Sequence, residues 1–505
     1  MTDAPAQPAM SDPPASAEIR SAPGQKLHGS GRIALKRSFR FRDLTLFYIV
    51  SALSVRWVAT AAAAGPSTLI IWAVALVAFF VPLAVSVVEL SSRYPQEGGL
   101  YVWTREAFGP FAGFITSWTY WMCNLPFFAS VLYFGAGAAL FGFGTRGQHL
   151  ALDSRYYLLF TLFWLTVITV TNILGANAGK WLNNIGSLGS VLPIALLIVL
   201  ATVSAVHHGS ATTFHAHELA PHFDLKNAVF WSTIFFAFAG CEAGSFMGDE
   251  IENPRRNIPR ALLTSGIVVA AAYIAGTAAL LIALPSHAVD GVNGFMHGML
   301  TLSARMHVGW LAAPVALLIS LSMVGGAAAF LSSTSRLPFV AGIDSYLPSA
   351  FGKIHPRFRT PWIAIGIYGL AGIITAILGQ AGTSVRGAYE VLVSMSIFSY
   401  FIPYLFLFAA QIRLQKRPVG PDVMRIWGGR PVAIVLASLG FLSTAVTLVL
   451  SVIPSADETN KPLAVAKVIG STAVLIGAGI IVYVIAERKK TRAAAQSATQ
   501  TPTQS

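Results

Sequence analysis

The chain has 505 residues, of which 55% are hydrophobic and 11% charged, and a mean hydropathy of +0.64. Soluble globular domains do not have this composition, so most of the polypeptide belongs in lipid. A formal net charge of +13 would suit nucleic acid, but the basic residues sit between apolar runs, and their distribution has a different explanation.

The first forty residues are Pro-, Ala- and Ser-rich and then basic, with no apolar core and no cleavage motif. The first hydrophobic run therefore reads as a span and not as a signal peptide. Residues 1–40 are expected to be a disordered basic tail, 41–490 a transmembrane domain and 491–505 a second disordered tail. About twelve apolar runs follow, each long enough to cross a hydrocarbon core of roughly 30 Å as a helix. They cover 43–64, 69–90, 111–142, 156–174, 185–206, 227–248, 262–284, 309–334, 362–379, 389–410, 431–453 and 463–486. The fold class is an all-α multi-pass membrane protein. Cys123 and Cys241 both fall inside spans, which reads as packing and not as a disulfide framework.

When the loops are assigned alternately to two sides, 26 Lys and Arg fall on the side of the N-terminal tail and seven on the other, with Arg56 inside a span. The positive-inside rule then puts both termini in the cytoplasm, and no nucleic acid is needed to explain the charge.

A charge within a span costs about 2.5 to 3.5 kcal/mol on insertion scales. Only Arg56 and Glu242 lie near mid-span. Glu242 stands between Gly240 and Gly244, a spacing that weakens a helix and admits another backbone or a ligand. The sixth span is therefore a candidate broken helix, whose halves offer N–H groups to a carboxylate and carbonyls to an ammonium. The residues leave Glu242 open between a structural hub and a coupling group. Arg56 remains charged at any relevant pH; it either snorkels to an interface or meets an anionic group.

Three stretches carry a family resemblance: VVELSSRYPQEGGLYVWTREAFGP (87–110), GCEAGSFMGDEIENPRRNIPRA (240–261) and STSRLPFVAGIDSYLPSAFGKIHPRFRTPW (333–362). With twelve spans in order, the chain from about 40 to 490 resembles amino acid permeases of the amino acid, polyamine and organocation superfamily. The resemblance implies two inverted five-helix repeats with helices one and six broken, and two helices appended. It implies secondary transport of amino acids or their amine derivatives across the plasma membrane by alternating access, through exchange or proton linkage, with no enzymatic activity and no cofactor. Substrate contacts are implied at Ser51, Ser54 and Arg56 in the first span and at Phe236, Ala239, Gly240, Glu242 and Gly244 in the sixth. Phe236 and Glu242 are implied as gate or coupling residues. The implied partners are an amino acid, protons, the bilayer and a second copy of the chain.

Departures from the pattern matter too. The first span lacks the Gly-rich break of many relatives, and in this it looks more like the glutamate/GABA antiporter branch than the arginine/agmatine branch. The fifth run has no ionisable residue, which argues against proton symport through a helix-five lysine. Gly98 and Gly99 predict a tight turn before an amphipathic stretch, 101–108, lying along the membrane surface. Arg255, Arg256 and Arg260 beside Asp249, Glu250 and Glu252 read either as a solvated charged loop or as a cytoplasmic salt-bridge cluster that locks a gate. His207, His208, His215, His217 and His222 share an outer loop whose spacing matches no zinc pattern, leaving a solvated loop or a pH-responsive flap. No phosphate loop, haem motif or HExxH is present. A nutrient sensor on the same scaffold, a polyamine transporter and a channel are the rival readings.

Overall fold

The computed structural model describes residues 35–144, 147, 149–221, 225–290, 293–380, 385–418, 420, 423–453 and 461–499. Among these the chain is helical; a single isolated bridge pairs Phe39 with Ile251. Among the described residues eleven helices are long and apolar enough to cross a membrane, and they coincide with eleven of the twelve expected runs. The other run, the sixth, is in two pieces, Leu225–Ala237 and Ala243–Glu250.

Spans three (Pro110–Leu140) and eight (Ala312–Thr334) form the centre: 78% and 83% of their apolar windows are buried within the protein, against 11% for the last span. Small residues let the central helices approach closely. Gly186 of span five (Ala176–His208) meets Gly325 of span eight so tightly that a Cβ on Gly325 would stand 2.5 Å from the Gly186 Cα.

Span two (Thr68–Arg93) is interrupted at Leu76–Phe80, where one turn widens ahead of Pro82. Proline has no N–H to give the Ala78 carbonyl one turn back. The Ser443 hydroxyl of span eleven (Gly429–Leu450) donates to that carbonyl at 2.8 Å instead, as lipid requires of a freed backbone group.

Three expectations are corrected. The helix Leu100–Phe108 does not lie on the surface: Leu100, Tyr101, Val102, Trp103 and Thr104 are all buried. Its polar side is satisfied internally, since Arg105 Nη1 lies 2.6 Å from Asp344 Oδ2 and the Tyr101 hydroxyl donates to the same carboxylate. The segment from Arg492 to Thr499, expected to be disordered, continues the last helix, Lys461–Thr499, because an Ala-rich stretch is a strong helix former. Span five begins early enough to include Lys180, which pairs with Asp43 at 2.8 Å at the end of the bundle and so is no mid-span cation.

Candidate functional site

The first span runs as a helix over Phe41–Ala52, unwinds at Leu53 (φ −91°, ψ 116°) and Ser54 (φ −133°, ψ 127°), and resumes over Val55–Ala63. The sixth breaks after Ala237 in a turn through Gly240. Gly240 has φ of +108°, and a Cβ there would lie 2.8 Å from the Ser51 carbonyl oxygen. The two interruptions therefore touch backbone to backbone, at a position that only glycine occupies without strain. Tyr273, on span seven (Pro254–Ala283), joins them: its hydroxyl donates to the Ala52 carbonyl at 2.5 Å, lies 3.1 Å from the Ala237 carbonyl and accepts the Ser54 N–H at 3.2 Å. Sequence reading missed this residue, since a tyrosine in an apolar run carries no signal beyond ordinary composition.

Between the breaks lies a small cavity that both of them line. Of the expected contacts, Ser51, Ser54, Arg56, Phe236 and Ala239 line it, joined by Trp57, Phe127, Ser322, Met323, Phe330 and Tyr400. Arg56 does not snorkel to an interface. It is 2% exposed, and its Cζ lies 4.2 Å from the Trp57 ring centre and 5.4 Å from that of Phe127. Phe236 meets Trp57 and Tyr400 edge to face at 5.6 and 5.4 Å, forming an aromatic wall.

Gly240, Glu242 and Gly244 are not in the lining. Glu242 is fully buried behind Tyr400. The Tyr120 hydroxyl donates to it and lies 2.5 Å from the Tyr400 hydroxyl, which is itself 3.5 Å from Glu242 Oε1. The Gly240 N–H lies 3.3 Å from Glu242 Oε2 and 3.2 Å from the Tyr404 hydroxyl. A carboxylate held by so many donors is stabilised as a polar hub, and Tyr400 connects it to the cavity wall. Gly244 has a packing role: a Cβ there would meet the Tyr48 ring at 2.6 Å.

Two unwound segments facing one cavity suit a carrier. A family profile decides the question: the amino acid permease profile matches residues 39–478. The chain is an amino acid permease. The permease is 28% identical to an uncharacterized transporter of Legionella pneumophila over 84% of this chain and 92% of the relative. It is 26% identical to a probable agmatine/putrescine antiporter of Lactococcus lactis, covering 80% and 87%. A glutamate/gamma-aminobutyrate antiporter of the same organism is 23% identical, covering 75% and 76%.

At the end of the permease that carries the loop after span two, a second polar layer closes the bundle. Arg336 Nε and Nη2 lie 2.7 and 2.6 Å from Glu250 Oε1, and Nε lies 3.7 Å from Glu97 Oε1. The Asp249 N–H donates to Glu97 Oε2 at 3.0 Å. Burial above all, and then Glu250 and Asp249, push the Glu97 carboxyl well above the usual range, with Arg336 pulling the other way. Glu250 thus pairs with Arg336, and Glu252 with Arg40 at 3.3 Å, so both carboxylates have arginine partners from outside the loop. The charges of the loop are shared with other elements because the segment at Ser38 and Phe39 and the loop after span two both pack against it.

On the opposite face, the His215 and His217 rings stack at 5.7 Å and are exposed; His222 lies outside the described residues. Among the described residues no cluster of three or more His, Cys, Asp or Glu is placed to hold a metal. Cys123 and Cys241 are buried and unpaired with each other.

Proposed function

We infer that the permease is a secondary transporter that carries amino acids, or the amines derived from them, by alternating access through the cavity between the two breaks. The contact of both interruptions at one buried cavity carries this reading, since helix ends there offer N–H groups and carbonyls to the two charged ends of an amino acid. Both termini face the cytoplasm of a plasma membrane, in keeping with the split of basic residues. Ser51, Ser54, Arg56, Phe236 and Ala239 contact substrate, and Phe236 acts as the aromatic gate. Glu242 senses occupancy through Tyr400, and the layer of Glu97, Glu250 and Arg336 seals the cytoplasmic side. The names of two relatives suggest exchange as the mode.

Purified permease in liposomes tests this reading. Loading the vesicles with a mixture of unlabelled amino acids and amines accelerates entry of a labelled one if the protein exchanges. Binding without turnover would identify a sensor, and entry that internal substrate does not stimulate would identify a channel.

A further inference from the structure

The last helix, Lys461–Thr499, changes chemistry along one face without changing register. Val474, Ile481 and Ile485 are exposed apolar residues of a span that buries little of itself in the protein. At helical spacing their stripe continues through Arg488 and Arg492, with Lys489 beside them, and all three are exposed. The opposite face packs. Tyr483 stacks on Tyr346 at 5.0 Å and meets Phe111 edge to face at 5.1 Å, Ala486 is buried, and the Lys490 ammonium lies 3.2 Å from the centre of the Tyr346 ring. Glu487 falls on the helix face of Tyr483 and Lys490, within electrostatic reach of both and of Tyr346. The helix end thus sorts its charges, with three cations on the lipid side and the carboxylate on the packed side. Depth agrees with register. Phe111 is the second residue of span three, so its contact with Tyr483 marks one membrane boundary on two helices. Arg488 and Arg492 lie about 5 and 10 Å beyond Ile485 along the helix axis, across a headgroup layer of roughly 5 to 8 Å.

We propose that the outward face of Arg488, Lys489 and Arg492 binds the headgroup phosphates of anionic phospholipid. A zwitterionic headgroup brings its own cation, whereas an anionic one leaves its phosphate uncompensated, and each Lys or Arg near such a surface strengthens the attraction about fivefold. Long basic side chains reach the phosphates while their stems stay on the apolar boundary. The binding tightens the fold because the same turns carry Tyr483 and Lys490. These two brace Tyr346, two residues after the Asp344 carboxylate that receives Arg105 and Tyr101. Headgroups that fix the end of the last helix therefore also fix the loop after span eight.

The test melts the full-length, delipidated permease in detergent against increasing phosphatidylglycerol, phosphatidylcholine or glycerol phosphate, the last supplying the same phosphate chemistry without acyl chains. Phosphatidylglycerol is expected to raise the melting temperature until the effect saturates. The R488Q/K489Q/R492Q variant should need about tenfold more of it, or beyond, for the same shift. Absence of a shift overturns the proposal, as does equal stabilisation by phosphatidylcholine. Equal stabilisation by glycerol phosphate also overturns it, since the ligand would then be a soluble anion and not a lipid. A variant that titrates like wild type shows that these three residues are not the site. If the variant does not fold, wild type titrated in rising salt decides. Headgroup attraction at an exposed surface weakens with ionic strength, so a shift that fades with salt supports the proposal and one indifferent to salt overturns it.

Discussion

At the scale of single residues, Glu242 stays in an apolar bundle because Tyr120, Tyr400 and the Gly240 amide surround it with partners. Glu242→Gln keeps the size and one acceptor but removes the charge. The variant is expected to fold and to transport about tenfold more slowly or worse, with a flattened dependence on pH. Uptake measured against pH beside melting checks this. A less stable protein that keeps the original pH profile would mark Glu242 as structural, and unchanged uptake at every pH would remove it from the mechanism. Tyr273→Phe deletes the hydroxyl shared by both breaks and leaves the Ser54 N–H and the Ala52 carbonyl without that partner. A loss of about 1 to 3 kcal/mol in stability should follow, read as a lower melting temperature, and an unaltered melt would show that the breaks hold without it. Arg56 and Glu242 were legible in the sequence because a charge in an apolar run is rare. Tyr120, Tyr273, Tyr400 and Tyr404 were not, since their importance lies in which distant residues they meet.

Among the elements, the long apolar runs announced the spans, and the Gly240 and Gly244 pair announced the break in the sixth. The break in the first span was legible only through the family resemblance, because Ala52, Leu53 and Ser54 include no helix breaker. It forms because tertiary partners, Tyr273 above all, take up the freed backbone groups. The helix Leu100–Phe108 misled for a similar reason: amphipathic periodicity shows which face is polar, and it cannot show that Asp344 waits to receive that face. Gly240→Ala tests the contact of the breaks. A Cβ at φ +108° and 2.8 Å from the Ser51 oxygen should cost at least about 1 to 3 kcal/mol in strain. Exchange and melting temperature should fall together, and a variant that behaves as wild type would show that the two segments do not pack this closely.

For the whole molecule, single cysteines introduced at Ser11, Gly209 and Ser497 test the orientation. With an impermeant thiol reagent on intact cells only the Gly209 variant should label, since Cys123 and Cys241 are buried, and labelling at either terminus would invert the topology. The sealing layer adds a pH dependence. Glu97 lies outside the spans and its carboxyl is raised above its ordinary 4.5, by burial first and then by Glu250 and Asp249. The folded protein therefore holds this proton more tightly than the unfolded chain does. The resulting stability is complete below that ordinary value and is lost as pH rises through the folded one. Glu97→Gln should flatten the decline in melting temperature as pH rises above the ordinary 4.5, and equal slopes in variant and wild type would clear Glu97 of the effect. Basic-residue counts gave an orientation to test, but this layer was illegible because Glu97, Glu250 and Arg336 come from three separate loops and helix ends.

The hydroxyl that Ser443 lends to Ala78 makes span eleven more than an appended helix. A widened turn followed by proline is where a helix flexes most easily, and here the flexing point is pinned from outside by a helix that faces lipid. Any swing of span two about that joint must either stretch the pin or drag span eleven along.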